Sequence, residues 1–422
     1  MDTCIRAGYY EQALELSNYA ARLERRLGRN SLIQSIANDV KNQRQLLLEN
    51  LLDQLTTSIN LSTCLKVVSY LKRLDVYTET ELLIKFLTVL RGEWLDNLLA
   101  SVPNANSYDH VTKIMELLRN HMFDVISQYR AAFPVEDFSS RAHFKKQESQ
   151  SADTSLFIPH HSSIFPCWLS SRIDRLAAIL DEDLKLLFSP ENVDENTDFS
   201  RLEAILNQFM HLGLSLSRIG CDIRYPIAPV FVNFIKKSIE DSINSSTDKF
   251  LTRIISEFDS THFAKSSFIK PSTDQAFIPD KCETSAPNTG DDAEKSASID
   301  PPLSLMQSRS LALYCNAILT VFNNFRSCLP LNLSYDVTEI LNSNLNIAYS
   351  SINDYKKNID NENREQNVEN FCALFLLDFV PFLNYCLKSL FPVKQLAAYL
   401  GNEMVELEKL QIALNLNVIV QH

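Results

Sequence analysis

The feature that most constrains this chain is an apolar spacing of three and four residues that runs from its start almost to its end. In MDTCIRAGYYEQALELSNYAARLERRLGR, residues 1–29, apolar side chains fall at Ile5, Tyr9, Ala13, Leu16, Ala20, Leu23 and Leu27. That spacing draws one stripe down a helix. Arg6, Glu11, Glu15, Arg22, Glu24, Arg25 and Arg26 fall off the stripe. Such a helix is marginal alone in water, so it demands partner helices. The residues that follow supply them.

Ser31 is placed to cap a second helix with Ile33, Ile36, Val40, Leu47, Leu51, Leu55 and Ile59 on one face. A third carries Leu65, Val68, Leu71 and Leu74. Thr78-Glu79-Thr80-Glu81 has the form of a capping box and opens a fourth, through Leu83, Phe86, Leu87, Leu90, Trp94 and Leu98. Asn106 and Ser107 start a fifth, with Val111, Ile114, Leu118, Met122, Val125 and Tyr129 aligned. Further stripes run through Trp168 to Leu187, Leu202 to Leu216, Phe231 to Phe258, Leu311 to Phe325, Val337 to Ile352 and Val368 to Leu387. No stretch alternates apolar and polar residues as a strand does. With only 7 glycines in 422 residues, hairpins and Gly-rich phosphate loops are disfavoured as well. The fold class is all-α.

Composition breaks divide the stripes. The expected organisation is a first helical bundle over 1–134, a polar loop over 135–165 and a second bundle over 166–259. A disordered insertion over 260–304, rich in Ser, Thr, Asp, Lys and Pro, separates these from a C-terminal bundle over 305–392. A weakly patterned tail, 393–422, follows. The apolar run from Phe371 to Phe391 contains Asp378, Asn384, Lys388 and Pro381, so it reads as a core helix and not as a membrane span. The opening residues are amphipathic, unlike a secretion leader. Nine scattered cysteines, with no CxxC pair, fit a reducing compartment. The net charge of −12 opposes binding to nucleic acid or anionic lipid through an overall basic field.

Chemistry is hard to find. GxxxxGK[ST], GxGxxG, GxSxG and HExxH do not occur. His160-His161 lacks companions at ligand spacing, so no metal or cofactor is expected. Asp181-Glu182-Asp183 and Asp291-Asp292 read as exposed charge, and Lys145-Lys146 and Lys236-Lys237 as isolated basic pairs. No nucleophile–base set emerges, which points to a non-enzymatic protein. The residues singled out are structural or partner-contact candidates. Arg218, Asp222, Arg224 and Pro229 lie in the irregular stretch GLSLSRIGCDIRYPIAPVF, residues 213–231, a helix junction by its two glycines and two prolines. There an Arg–Asp pair either fixes the angle between two helices or faces a partner. Trp94 and Trp168 are core anchors or partner-facing hot spots.

Four blocks then point to a family: MDTCIRAGYYEQALEL, YLKRLDVYTETEL (Tyr70 to Leu82), GLSLSRIGCDIRYPIAPVF, and FLLDFVPFLNYCLKSLFP (Phe375 to Pro392). Together, in this order, they resemble the eighth-subunit family of the conserved oligomeric Golgi complex. The resemblance implies an elongated rod of consecutive helical bundles. It also implies a peripheral protein on the cytosolic face of the Golgi membrane that helps capture vesicles recycling Golgi enzymes. The implied partners are the fifth, sixth and seventh subunits of the same lobe, the first subunit as bridge to the other lobe, and SNARE or Rab proteins. Members of that family carry a coiled-coil-prone helical region ahead of the block that starts here at Met1. The resemblance therefore implies that the opening helix is an interior element whose neighbour is missing. Alternatives are a subunit of an exocyst-like tether or a tetratricopeptide-like adaptor. GYYEQALEL resembles the start of a tetratricopeptide unit but has no second copy.

Overall fold

The structure, a computed structural model, describes residues 1–27, 30–134, 161–188, 199–259, 301–357 and 362–400. These are helical with short connections, and no strand occurs among them. They form two compact units. The first comprises residues 1–194 and 204–228, the second residues 195–203 and 229–422.

In the first unit the opening stretch is two helices, not one: α1 (Asp2–Arg6) and α2 (Tyr10–Leu27). The break is at Gly8, whose φ of 78° suits a residue without a Cβ. The Gly8 N–H donates to the Ile5 carbonyl and the Tyr9 N–H to that of Cys4, closing α1 as a Schellman motif. Helix α3 (Ser31–Leu55) follows, and its cap is Asn30, whose side chain accepts from the Leu32 N–H, rather than Ser31. Helix α4 (Leu61–Leu74) is capped by Asn60. The Thr78–Glu81 capping box is complete at the start of α5 (Glu79–Lys85), which passes through a π turn, Phe86–Leu90, into α6 (Arg91–Ala100). Helix α7 (Ser107–Leu117) likewise continues through Leu118–Met122 into α8 (Phe123–Ala132).

These helices pack α2 on α3, α3 on α4 and α4 on α8. Cations from neighbouring helices close several helix ends. Arg44 donates to the Leu74 carbonyl, Lys72 to that of Ala132, and Arg91 to those of Leu55 and Thr57. Terminal carbonyls and the negative end of the helix dipole both favour such donors. Helix α9 (His161–Leu187) packs on α7, so residues 161–165, placed in the polar loop by sequence, are helical. Helix α10 (Ser200–Ser217) buries Leu202, Ile205, Phe209, Leu212 and Leu216, as its spacing predicts.

Helix α11 (Arg224–Asp259), of which residues 229–259 belong to the second unit, runs beside α13 (Ser334–Lys357). Lys236 pairs with Asp336 at 2.8 Å, and the Asn344 amide donates to Asn244 at 2.8 Å. Both links join residues 100 apart, so the two helices run parallel in one register. Helix α12 (Arg309–Phe325) supplies Tyr314, whose ring stacks on Phe250 at 4.6 Å and whose hydroxyl bonds Thr247. Burial pushes its pKa to about 12.

Helix α14 (Glu362–Leu374) continues through the π turn Phe375–Phe379 into α15 (Val380–Leu390). Its aromatic face meets Phe258, Tyr314 and Tyr349. Among the described residues this run, Glu365–Leu390, is the one helix long and apolar enough to cross a membrane. The mean hydropathy of its most apolar window is 1.5, and 56% of that window is buried. Each large apolar side chain so buried contributes roughly 1.5–3 kcal/mol. Helix α16 (Val393–Leu400) gives order to the start of the expected tail. Most of the loop over 135–165, most of the insertion over 260–304 and residues 401–422 lie outside the described residues.

Candidate partner-binding surfaces

The opening stripe is only partly used. Helix α2 buries Ala13, Leu14 and Ser17, while Ile5 of α1 is also buried. Tyr9, Leu16, Tyr19 and Leu27 stay exposed, at 60%, 45%, 58% and 54%. Across from them, Leu32 and Ile36 of α3 are exposed as well. Between α2 and α3 lies a groove of about 240 Å³ lined by Leu16, Tyr19, Leu23, Ile33, Ile36 and Val40, among others. Scattered apolar residues are ordinary on a surface; here they line one contiguous groove.

The junction between α10 and α11 holds the predicted Arg–Asp pair, and its surroundings differ from the expectation. Cys221, Ile223 and Ile227 turn inward and are buried, so Asp222 between them faces solvent. The Asp222 carboxylate accepts from the Arg224 side chain at 2.6 to 3.1 Å and from the Arg224 N–H at 3.0 Å. Those hydrogen bonds hold its pKa below the usual carboxylate value. The pair is therefore a surface clamp at the start of α11, not a pair sealed among apolar residues. It does touch both helices. The Arg224 stem lies against Gly213 of α10, where any Cβ would collide with it. Arg218 is exposed and has no ion pair among the described residues. Pro229 lies inside α11, which begins at Arg224 and not at the proline.

Trp168 is buried, with Phe165 stacked against it at 6.0 Å and Arg172 over its ring at 5.5 Å. Its indole N–H finds no acceptor among the described residues. Trp94 is half-buried, edge-on to His121 and covered by the Arg91 guanidinium at 4.0 Å. Arg91 itself is 0% exposed, although it stands in the apolar run Leu83 to Leu98. Burial lowers its pKa, partly opposed by Cys64 and Asp124. Sequence reading passed over it; Arg91 stands four residues after Leu87 and four before Leu95, but only the structure shows that this line, and not the one through Trp94 and Leu98, is the buried one.

Asp183 corrects a second reading. It is buried, not exposed, and its carboxylate meets His110 Nδ1 at 2.7 Å, joining α9 to α7. Burial raises its pKa, while the His110 contact opposes the rise. Of the remaining charge clusters, Lys236 is engaged with Asp336, and Lys145-Lys146, Asp291-Asp292 and His160 lie outside the described residues.

Residues 1–248 match the Dor1-like family. The chain is similar to mouse conserved oligomeric Golgi complex subunit 8, 34% identical over 412 residues, covering 97% of this chain and 59% of the relative. The human protein of the same name is also 34% identical, with 97% and 61% covered. The fruit-fly one is 30% identical over 415 residues, with 98% and 66% covered. The chain thus spans about three fifths of the length of the mammalian relatives it matches. No solved structure matches it.

Proposed function

The chain belongs to the Dor1-like family, and from that premise we propose that it is a non-enzymatic subunit of the conserved oligomeric Golgi complex. It acts there in tethering vesicles for retrograde transport within the Golgi, and so in keeping glycosylation enzymes in place. The observation that carries the reading is similarity along nearly the whole chain to proteins named as subunit 8 of that complex. The all-α build supports it, because stacked amphipathic helices leave faces that other helical subunits can cover.

Its partners are the fifth, sixth and seventh subunits, with the first as a bridge and SNARE or Rab proteins as transient contacts. Its place is the cytosolic face of the Golgi membrane, held peripherally through those partners. The test is expression of the tagged chain in cells followed by affinity purification and mass spectrometry. Recovery of the neighbouring subunits supports the reading, and recovery of none of them refutes it.

A further inference from the structure

The groove between α2 and α3 has a distinctive rim. Tyr19, Arg22 and Arg26 follow at i, i+3 and i+7, so the two arginines share a ridge with a groove-lining ring. Neither has a carboxylate partner among the described residues; Arg22 donates only to the Asn18 carbonyl of its own helix. Glu24, the one carboxylate in the second half of α2, is held by Lys41 of α3 at 2.8 Å. Glu11 is held by Arg73. The helix dipole accounts for cations in the last turn of α2, such as Arg25 and Arg26, but Arg22 stands a turn earlier. Glu15 offsets one charge on this ridge and leaves it net positive, on a chain whose total is −12.

We propose that this groove docks an amphipathic helix of another subunit of the tether, apolar on one face and acidic on the flank that meets Arg22 and Arg26. The proposal rests on the tether reading above for the source of the helix. Its chemistry rests on the groove alone. From Leu16 to Leu27 the exposed side of α2 runs for roughly 16 Å at 1.5 Å per residue, the length of about three helical turns. A docked helix would place leucine-sized residues at i, i+3, i+4 and i+7 over Leu16, Leu23, Ile36 and Val40. Its carboxylates would fix direction and register more than affinity. A second copy of this chain fits less well, because its own matching ridge is also net positive.

The test uses the purified chain and two synthetic helical peptides of about 15 residues. Both carry leucine at i, i+3, i+4 and i+7. One has glutamate at the flanking positions and the other lysine. Fluorescence anisotropy at low salt is expected to show the glutamate peptide binding about fivefold to tenfold tighter, the scale of two exposed ion pairs. The double variant R22E/R26E reverses that order. Ile36→Asp removes binding of both peptides while the tryptophan-monitored unfolding midpoint stays unchanged, since Ile36 is half exposed. Equal binding of the two peptides, or a preference untouched by R22E/R26E, overturns the proposal. So does a dimer in sedimentation equilibrium that Ile36→Asp dissolves, which would make a second copy the occupant. Binding to phosphatidylserine vesicles that Ile36→Asp abolishes overturns it too. If the tagged chain still recovers tether subunits from cells while the peptides fail, the docking proposal falls and the tether reading stands.

Discussion

Replacing Arg91 by methionine is the sharpest probe of how the first unit holds together. The substitution keeps most of the stem volume and removes the guanidinium. Two hydrogen bonds disappear, to the Leu55 carbonyl at 3.2 Å and to the Thr57 carbonyl at 2.6 Å, along with the stack on Trp94. A hydrogen bond to a charged donor contributes about 1.5–3 kcal/mol, and a desolvated cation–π contact up to about 2 kcal/mol. Against this, methionine no longer has to be stripped of the water a buried guanidinium would hold, a penalty of several kcal/mol per ion. The Nε of Arg91, already without a partner, is no loss. Leu55 lies buried, so its carbonyl is left unsatisfied, whereas Thr57 is exposed and can turn to water.

The net expectation is a loss of about 2 kcal/mol, or roughly 4–8 °C in midpoint for a unit of this size. Both tryptophans of the chain, Trp94 and Trp168, belong to the first unit. Their emission during urea unfolding therefore follows that unit by itself. Because Trp94 lies 4.0 Å from the guanidinium, its native emission should shift as well. An unchanged midpoint for Arg91→Met would show that the end of α3 does not depend on this cap, and would refute the reasoning.

Other consequences are equally direct. Gly92→Ala would drive a Cβ into the Leu87 carbonyl across the π turn and against Arg172, so the stability of the first unit should fall by more than about 1 kcal/mol; no change in its urea midpoint would mean the turn relaxes freely. Asp183 has a raised pKa in the folded chain, so its contribution is greatest below the ordinary carboxylate value of 3.8 and is lost as pH rises through the raised value. Asp183→Asn should therefore gain stability relative to the parent as pH climbs from 4 toward neutrality, read as midpoint against pH; a constant difference would remove Asp183 as the titrating group. Burial pushes the thiols of Cys64 to about 11 and of Cys315 and Cys386 to about 12, whereas Cys167 is exposed. Mass spectrometry after brief alkylation of the native chain at neutral pH should find Cys167 modified and those three protected until denaturant is added.

Much of the fold is legible because most of its helices follow a regular 3.6-residue period. The stripes of α7–α8, α10, α12 and α13 are buried residue for residue as spaced. The Thr78–Glu81 box could be named from four letters because its two hydrogen bonds are local. The π turn at Phe86–Leu90 is not legible, and a misplacement follows it, whereas the π turn at Leu118–Met122 leaves the stripe of α7–α8 in phase. Past Phe86–Leu90 the buried positions are Arg91, Gly92 and Leu95, while Trp94 and Leu98, which a regular helix would bury, are half-buried. Asp183 escaped for a different reason. Within DED nothing distinguishes the one carboxylate that meets a histidine 73 residues earlier. The Asp222–Arg224 pair was legible as a pair, but not as a surface clamp, because burial at a junction depends on which way the chain turns after Gly220.

The opening helix shows where periodicity misleads and why the error is informative. At about 100° per residue, the line through Leu16, Leu23 and Leu27 lies roughly a quarter turn from that through Ala13, Leu14 and Ser17. The stripe read from sequence follows the first line, apart from the buried Ile5 and Ala13 that it also contains; the structure buries the second. Both are real, and together they make an apolar arc wider than one neighbouring helix can cover. Helix α3 covers one side and leaves Leu16, Tyr19 and Leu23 to form a groove with its own Ile36. A helix evolved only for its place in this bundle would carry polar residues there, since exposed leucine and tyrosine contribute nothing to a surface in water. The exposed side of that arc is the face to which we assign the docked helix, and Arg22, which has no carboxylate partner among the described residues, sets the sign of charge that helix should bring.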